Sequence, residues 1–504
     1  MAAPLLRGEN HAVTDGCLPD WLGRRAVTHA RHPALIAGSV NWTFAELDDR
    51  VGEAARQLAA LGVADGDRVA LLARNGPAFV VMVHAVGRLG AVLVPLNIRL
   101  TPVELAWQLT DARVTFLVHD TAHASLAAAA TDQVGALRTI EIGPEGPEGP
   151  DAVSIKPRDR IALESAQGII YTSGTTGRAK GVLLTYGNYW WSAAGSAFHL
   201  GHRPDDCWLA MLPLFHVGGL VILFRSVIAG VPVVLHEAFD PARANHAIQE
   251  ERVTHVSVVA NMLARMLDEL GSRSYPPTLR CMLLGGGPAP TTLLQSCMHR
   301  GIPVSPTYGL TETCSQVATL LPDELGQHLG SAGTALPTTE LRIERDGQPM
   351  PPGEMGEIIV RGPTVTPGYV GRAADDEIRP DGWLRTGDLG RIDNEGYLYI
   401  LDRRDDLIIS GGENISPAEV EAVLLLHPEV EDAAVVGVPD EQWGAVPIAF
   451  VKRREGLTPT EQNVLDFCAE RLAAFKCPRR IEWVDSLPRN AAGKLLRREL
   501  RTPG

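Results

Sequence analysis

A chain of 504 residues exceeds one ordinary domain, so about two or three compact units are expected. With 45% hydrophobic and 21% charged residues and a formal net charge of −14, the composition is that of a soluble globular protein and disfavours nonspecific nucleic-acid binding. Cys17, Cys207, Cys281, Cys297, Cys314, Cys468 and Cys477 include no C-x-x-C pair and no zinc spacing, a scattered set that fits a reducing cytoplasm.

The N-terminus carries Arg7 but no apolar stretch and no cleavage site, so a secretory leader is not expected and a cytoplasmic location is. Thr43-Phe44-Ala45-Glu46 reads as a capping box, followed by Leu47, Val51, Ala54, Leu58 and Leu61 at helical spacing and by Gly62 as a stop. Residues 68–72 predict a strand, 77–89 a helix and 91–94 the next strand. Thr101-Pro102-Val103-Glu104 opens another helix with proline in its first turn, and 114–118 returns as a strand. Continuous apolar strands between amphipathic helices predict an α/β protein with parallel sheets covered on both faces. Residues 143–158, rich in Gly, Pro and Glu, predict a surface loop, because the alternation resumes beyond them.

Gly168-Ile169-Ile170-Tyr171 and Val182-Leu183-Leu184 predict two strands, joined by Thr172-Ser173-Gly174-Thr175-Thr176-Gly177-Arg178-Ala179-Lys180-Gly181. Small hydroxyl residues and glycines leave backbone N–H groups uncovered, which lets such a loop wrap phosphate oxygens, and Lys180 adds a positive charge. It is not a Walker loop, which needs Gly-Lys-Ser/Thr and opens a helix. The apolar window from Trp208 to Phe224 is too short and too broken by Pro213, His216 and Gly218-Gly219 to span a membrane, so it predicts buried core and no stable membrane insertion. The strand Leu398-Tyr399-Ile400-Leu401 runs into the charged Asp402-Arg403-Arg404-Asp405-Asp406, and this junction predicts two domains, 1–402 and 403–504. In the second, Ser416-Pro417-Ala418-Glu419 and Thr458-Pro459-Thr460-Glu461 each predict a helix cap.

The residue order 171–181 resembles the phosphate loop of the adenylate-forming enzymes: acyl-CoA synthetases, adenylation domains and luciferases. Five further segments extend the resemblance in the family's order. They are Leu284-Gly285-Gly286-Gly287-Pro288-Ala289-Pro290, Tyr308-Gly309-Leu310-Thr311-Glu312, Thr386-Gly387-Asp388, the stretch Asp402 to Ile415, and Pro488-Arg489-Asn490-Ala491-Ala492-Gly493-Lys494. The implied fold is a large N-terminal domain of stacked mixed sheets covered by helices, plus a small mobile α+β C-terminal domain. The implied cofactors are ATP, CoA and Mg²⁺, with a small-molecule carboxylic acid as substrate; a homo-oligomer stays open.

Activating a carboxylate with a triphosphate brings two anions together, so positive charge is needed where negative charge develops. By resemblance, Thr172, Ser173, Gly174, Thr175, Thr176, Gly177 and Lys180 hold the phosphates, and Glu312 holds Mg²⁺, a hard cation suited to oxygen ligands. Thr311 bonds the α-phosphate, and Lys494 bridges the carboxylate and that phosphate. Gly286, Gly287, Pro288 and Tyr308 face adenine, while Asp388 offers two acceptor oxygens to the ribose, with Arg403 beside it. Asp405 is the implied hinge, about which Lys494 leaves and the loop containing Gly412 arrives for thioester formation.

Leu214-Phe215-His216-Val217-Gly218-Gly219-Leu220, Phe224-Arg225-Ser226-Val227-Ile228, Thr311-Glu312-Thr313-Cys314-Ser315-Gln316 and Leu487-Pro488-Arg489-Asn490 resemble the branch of these ligases that activates 2-succinylbenzoate in menaquinone biosynthesis. That acid has two carboxylates. One is activated, which leaves the other for a cation such as Arg225, with His216 and Gly285 as further substrate-side residues and His216 also assigned to catalysis. An arginine in so apolar a run is otherwise costly, unless it forms a structural ion pair or snorkels to solvent. Medium-chain fatty or aryl acyl-CoA ligases share the chemistry without needing Arg225, and a non-catalytic nucleotide-binding relative is expected to lack Lys494 or Glu312. Ser416 and Gly493 depart from the family's usual residues.

Overall fold

The computed structural model describes residues 16–501 apart from 136, 148–157, 173–178, 288, 372–376, 404–407, 411–412, 416, 441–442, 473, 491–492 and 494. The helix announced by Thr43 runs Phe44–Ala60. Its capping box is formed: Glu46 N donates to Thr43 Oγ1 at 3.3 Å and Thr43 N donates to Glu46 Oε2 at 2.8 Å. Leu47, Val51, Ala54 and Leu58 are buried along one face, and Gly62 follows the helix at φ 98°. Thr101 closes a second capping box at the start of Pro102–Asp111. Helix Pro77–Arg88 is apolar on nearly every side, and it is accordingly buried on nearly every side.

Strands Arg68–Leu72, Val92–Pro95, Phe116–Asp120 and Arg138–Gly143 run parallel, as continuous apolar runs predict. They belong to an eight-stranded sheet. Ala166–Thr172 joins it alongside Val92–Pro95 and pairs antiparallel with Lys180–Thr185, so the expected strand–loop–strand is a hairpin. One expectation needs correction. Within the 143–158 stretch, Gly146–Pro147 pairs back on Ile142 and Gly143 as an edge strand rather than lying wholly in a loop. Proline is tolerated there because an edge has one unpaired side.

A second, nine-stranded sheet carries Val233–Leu235, Trp208–Ala210, His255–Val258, Cys281–Leu284 and Val304–Leu310 in parallel. The apolar window is thus split between strand Trp208–Ala210 and helix Val217–Ala229 in the core. Among the described residues no helix is long and apolar enough to cross a membrane. A third, antiparallel sheet includes Glu340–Arg345, Gly356–Arg361, Leu384–Ile392 and Leu398–Arg403. The chain therefore has a large N-terminal part of mixed sheets and helices.

The remaining residues build a smaller unit. Ile408–Ser410, Glu413–Ile415, Val430–Asp440, Gly444–Arg453 and Ile481–Trp483 share one sheet, packed on helices Pro417–Leu424 and Glu461–Ala469. Its core, including Ile415, Val420, Leu424, Val435, Val451, Val464 and Ile481, draws only on this unit. The second cap is shifted from expectation: Thr460, not Thr458, accepts from Asn463 N. Glu461 is released from capping duty and instead accepts from Ile481 N at 3.0 Å, tying helix to sheet. Ser416 lies outside the described residues.

Candidate active site

The C-terminal ends of neighbouring parallel strands are where an α/β sheet presents its loops to ligands. Cys281–Leu284 and Val304–Leu310 are such neighbours, with Leu284 opposite Pro306. The first leads into Gly285-Gly286-Gly287. Gly286 has φ +80°, and a Cβ there would stand 3.0 Å from Val259 Cγ1, so the loop requires glycine to pass. The second strand delivers Tyr308, which is buried and donates its hydroxyl to Asp388 Oδ2 at 2.7 Å. Asp388 stands on Leu384–Ile392, paired in register with Arg403, and is 6% exposed. The proposed adenine and ribose residues therefore form one unit, and one Asp388 oxygen already serves Tyr308.

Four residues beyond Tyr308 stands Glu312, at the far side of a tight reversal. Thr311–Thr313 forms a single 3-10 turn, followed by Cys314 at φ 50° and Ser315 at φ 90°. Such positions cost on the order of 1–3 kcal/mol each and persist only when neighbours enforce them. Ser192 Oγ donates to Cys314 O at 2.7 Å, Thr366 N donates to Glu312 O at 2.7 Å, and Leu310 N donates to Thr313 Oγ1 at 3.0 Å. Gly309 is obligatory at the crossing, since a Cβ would stand 1.7 Å from Ser315 O. Thr311 and Glu312 are thus held at the mouth of the strand by a strained turn.

Lys180 stands across from Thr172 at the closing end of the hairpin. Its side chain is 9% exposed, lies 5.2 Å from the Tyr369 ring centroid, and is ion-paired with Glu377. Tyr369 Oη is 2.5 Å from Glu377 Oε2 and 3.2 Å from Glu312 Oε1. The Tyr369 hydroxyl thus bridges the two carboxylates, closer to Glu377 than to Glu312. The oxygen donors of Glu312, Glu377 and Tyr369 are of the hard type that suits Mg²⁺. Glu377 and Tyr369 were not picked out from the sequence. Positions 197 and 57 residues away from their partners carry no spacing signal.

His216 caps helix Val217–Ala229 without a side-chain cap bond, and its Nε2 is buried without a partner among the described residues. Burial, then Arg99, pushes its pKa down to about 4, so it is a neutral imidazole at pH 7 rather than a cation. His84 is likewise pushed down to about 3 by burial and by Arg88. Both folded values lie below the usual 6.5, so their stabilising effect is complete above about pH 6.5 and is lost as pH falls toward 4. Melting temperature is therefore expected to fall steadily between pH 7 and 4. A flat profile across that window in a pH series of thermal unfolding curves contradicts the buried neutral histidines.

Arg225 lies in the same helix at 4% exposure. Nη2 donates to Gln316 Oε1 at 2.7 Å, the guanidinium stands 5.2 Å over Trp208, and Nε has no partner among the described residues. Burial lowers its pKa to about 10, so it stays charged. Among the described residues it has no carboxylate partner, and it is too deep to reach solvent, so neither structural alternative for this arginine is met. Ser173, Gly174, Thr175, Thr176, Gly177, Pro288, Asp405, Gly412 and Lys494 lie outside the described residues, as does the Arg403 side chain.

The AMP-binding enzyme family matches residues 22–370, and the AMP-binding enzyme C-terminal domain matches residues 419–494. A 2-succinylbenzoate–CoA ligase of Geobacillus kaustophilus (strain HTA426) is 51% identical over 486 residues, 96% of this chain and 97% of that protein. An o-succinylbenzoate CoA synthetase from Bacillus subtilis, solved with its acyl-adenylate intermediate, superposes with a TM-score of 0.91 at 44% identity, covering 97% of this chain and 99% of that one. The same synthetase solved with ATP and magnesium ion gives 0.90 at 44% identity, over 96% and 99% of the two chains.

Proposed function

The chain belongs to the AMP-binding enzyme family, and from that premise we propose that this site adenylates 2-succinylbenzoate with ATP and passes the acyl group to CoA. The protein is an ATP-dependent acid–thiol ligase, AMP-forming, that uses ATP, Mg²⁺ and CoA, and its acid places it in menaquinone biosynthesis. The observation that carries the site is the joining of Lys180, Glu377, Tyr369 and Glu312 in one network, with the Tyr308–Asp388 pair four residues along the same strand and turn. This grouping supports a reading in which Lys180 serves the β- and γ-phosphates, Glu312 the metal and the Tyr308–Asp388 pair the nucleoside.

In this reading Asp388 and Tyr308 hold the ribose and adenine over Gly286 and Gly287, and Arg403 supports Asp388. Lys180 with the 173–177 loop fixes the β- and γ-phosphates. Glu312 would hold Mg²⁺, which supplies charge neutralisation at the phosphates, and Thr311 hydrogen-bonds the α-phosphate. Lys494 aligns the acid's carboxylate for attack on phosphorus, with pyrophosphate leaving. His216, neutral, lines the acid's path with Gly285, and Arg225 meets the second carboxylate. Residues 1–402 and 403–504 act as two domains, and rotation about Asp405 exchanges Lys494 for the loop that contains Gly412. The free thiols and the need for ATP and CoA support a cytoplasmic setting.

The test is mass-spectrometric detection of CoA thioesters after incubation with ATP, Mg²⁺, CoA and a panel of mono- and dicarboxylic acids. 2-Succinylbenzoyl-CoA with stoichiometric AMP is expected. Thioesters from monoacids alone overturn the substrate, and ADP in place of AMP overturns the adenylate.

A further inference from the structure

The Lys180–Glu377 ion pair poses a problem for the reading above, on which this inference rests: the cation meant for the triphosphate already has a carboxylate on it. Lys180 is confined by the Tyr369 ring 5.2 Å away, while Glu377 is held from its other oxygen by the Tyr369 hydroxyl at 2.5 Å. One aromatic residue thus positions both members of the pair. Glu377 is the member nearer to solvent, with 39% of its side chain exposed against 9% for Lys180. A carboxylate and a terminal phosphate are both anions that accept hydrogen bonds from an ammonium group and repel each other, so they compete for this buried Nζ.

We propose that Glu377 is a positioning residue that occupies the terminal-phosphate place on Lys180 in the nucleotide-free enzyme and competes there with the β- and γ-phosphates. Entry of ATP transfers Lys180 from Glu377 to the phosphates. After adenylation, the carboxylate returns to Lys180 and displaces pyrophosphate. Glu377 therefore weakens triphosphate binding, keeps the lysine aligned, and speeds product release. Its partner Tyr369 also reaches Glu312 at 3.2 Å, so release of Glu377 frees the hydroxyl proton for the carboxylate that faces the metal.

The experiment compares Glu377→Gln, which keeps shape and removes charge, with the parent and with Glu377→Asp. Calorimetry measures the affinity of each for magnesium pyrophosphate and, separately, for AMP, neither of which needs turnover. Pyrophosphate is expected to bind about three- to tenfold tighter to E377Q, about the effect of losing one partly exposed counter-ion. AMP affinity should stay at the parent value because AMP has no phosphate that reaches Lys180. E377D restores the charge and should return pyrophosphate affinity toward the parent.

Pyrophosphate binding that is unchanged or weaker in E377Q overturns the proposal. Equal weakening toward both ligands with a lowered melting temperature also overturns it and makes Glu377 a structural anchor of its turn. A parent chain that binds neither ligand overturns the nucleotide site itself, a result distinct from an unaltered ratio between variants. In turnover, the same competition lowers KM for ATP in E377Q and strengthens inhibition by added pyrophosphate. A raised KM counts against it.

Discussion

Lys494→Ala is expected to slow adenylate formation by about 10²- to 10³-fold, the usual effect of removing one preorganised donor from a developing charge. Thioester formation from preformed acyl-AMP should proceed at close to the parent rate. The asymmetry follows from the reacting centres: in the first half-reaction a carboxylate attacks a phosphorus ringed by anionic oxygens, whereas in the second the sulfur attacks a carbonyl carbon. Arg489, ahead of the lysine in sequence, is tied to the small unit. Arg489 Nη2 donates to both oxygens of Asp432, at 2.9 and 2.8 Å, and Arg489 Nη1 donates to Gly493 O at 3.0 Å. Gly493 sits at φ +78°, where a side chain is strained, so the turn has its own reason for glycine. ATP–pyrophosphate exchange reads the first step, and release of AMP from synthetic acyl-AMP with CoA reads the second. Equal loss in both contradicts the assignment and points to damage of the fold.

Arg225→Leu should lower kcat/KM for 2-succinylbenzoate by on the order of 30- to several-thousand-fold, the consequence of truncating one partner of a buried charge pair. Activity toward a matched monoacid should be kept or improved. The structure sharpens this expectation. The guanidinium is buried with a neutral amide, Gln316, and an aromatic ring as its described neighbours, an arrangement that leaves its charge uncompensated until a ligand carboxylate arrives. Replacement by leucine therefore removes a desolvated charge at the cost of one hydrogen bond, and the melting temperature should hold or rise. Measuring kcat/KM for the diacid and the monoacid beside a melting curve decides the matter. A uniform loss of activity with a lowered melting temperature makes Arg225 a structural residue, removes the physical argument for the second carboxylate and leaves the adenylate chemistry intact.

Local chemistry made most of the fold readable in the sequence. Capping boxes at Thr43 and Thr101, continuous apolar strands, and a strand–loop–strand around residues 172–180 depend on neighbours in sequence, and all three stand as expected. The motifs that carry the resemblance to the adenylate-forming enzymes are local in the same way, since each packs its glycines, hydroxyls and charges into a few consecutive residues. The Thr460 cap was not readable, because Glu461, which the expected box on Thr458 needs, is drawn to Ile481 N on another element; the Gly146–Pro147 edge strand pairs with the nearby Ile142 and Gly143 but is built from residues that read as loop.

The same distinction governs the site. Residue order alone named Lys180, Glu312, Tyr308 and Asp388 as groups with a task. Only the tertiary structure joined Tyr308 to Asp388, made His216 neutral, left Arg225 without a carboxylate among the described residues, and brought Glu377 and Tyr369 between the lysine and Glu312. The physical reason is that charge state and pairing depend on burial and on distances of a few ångströms between remote segments. A sequence carries the groups, but the fold decides the dielectric around each and the partner it meets.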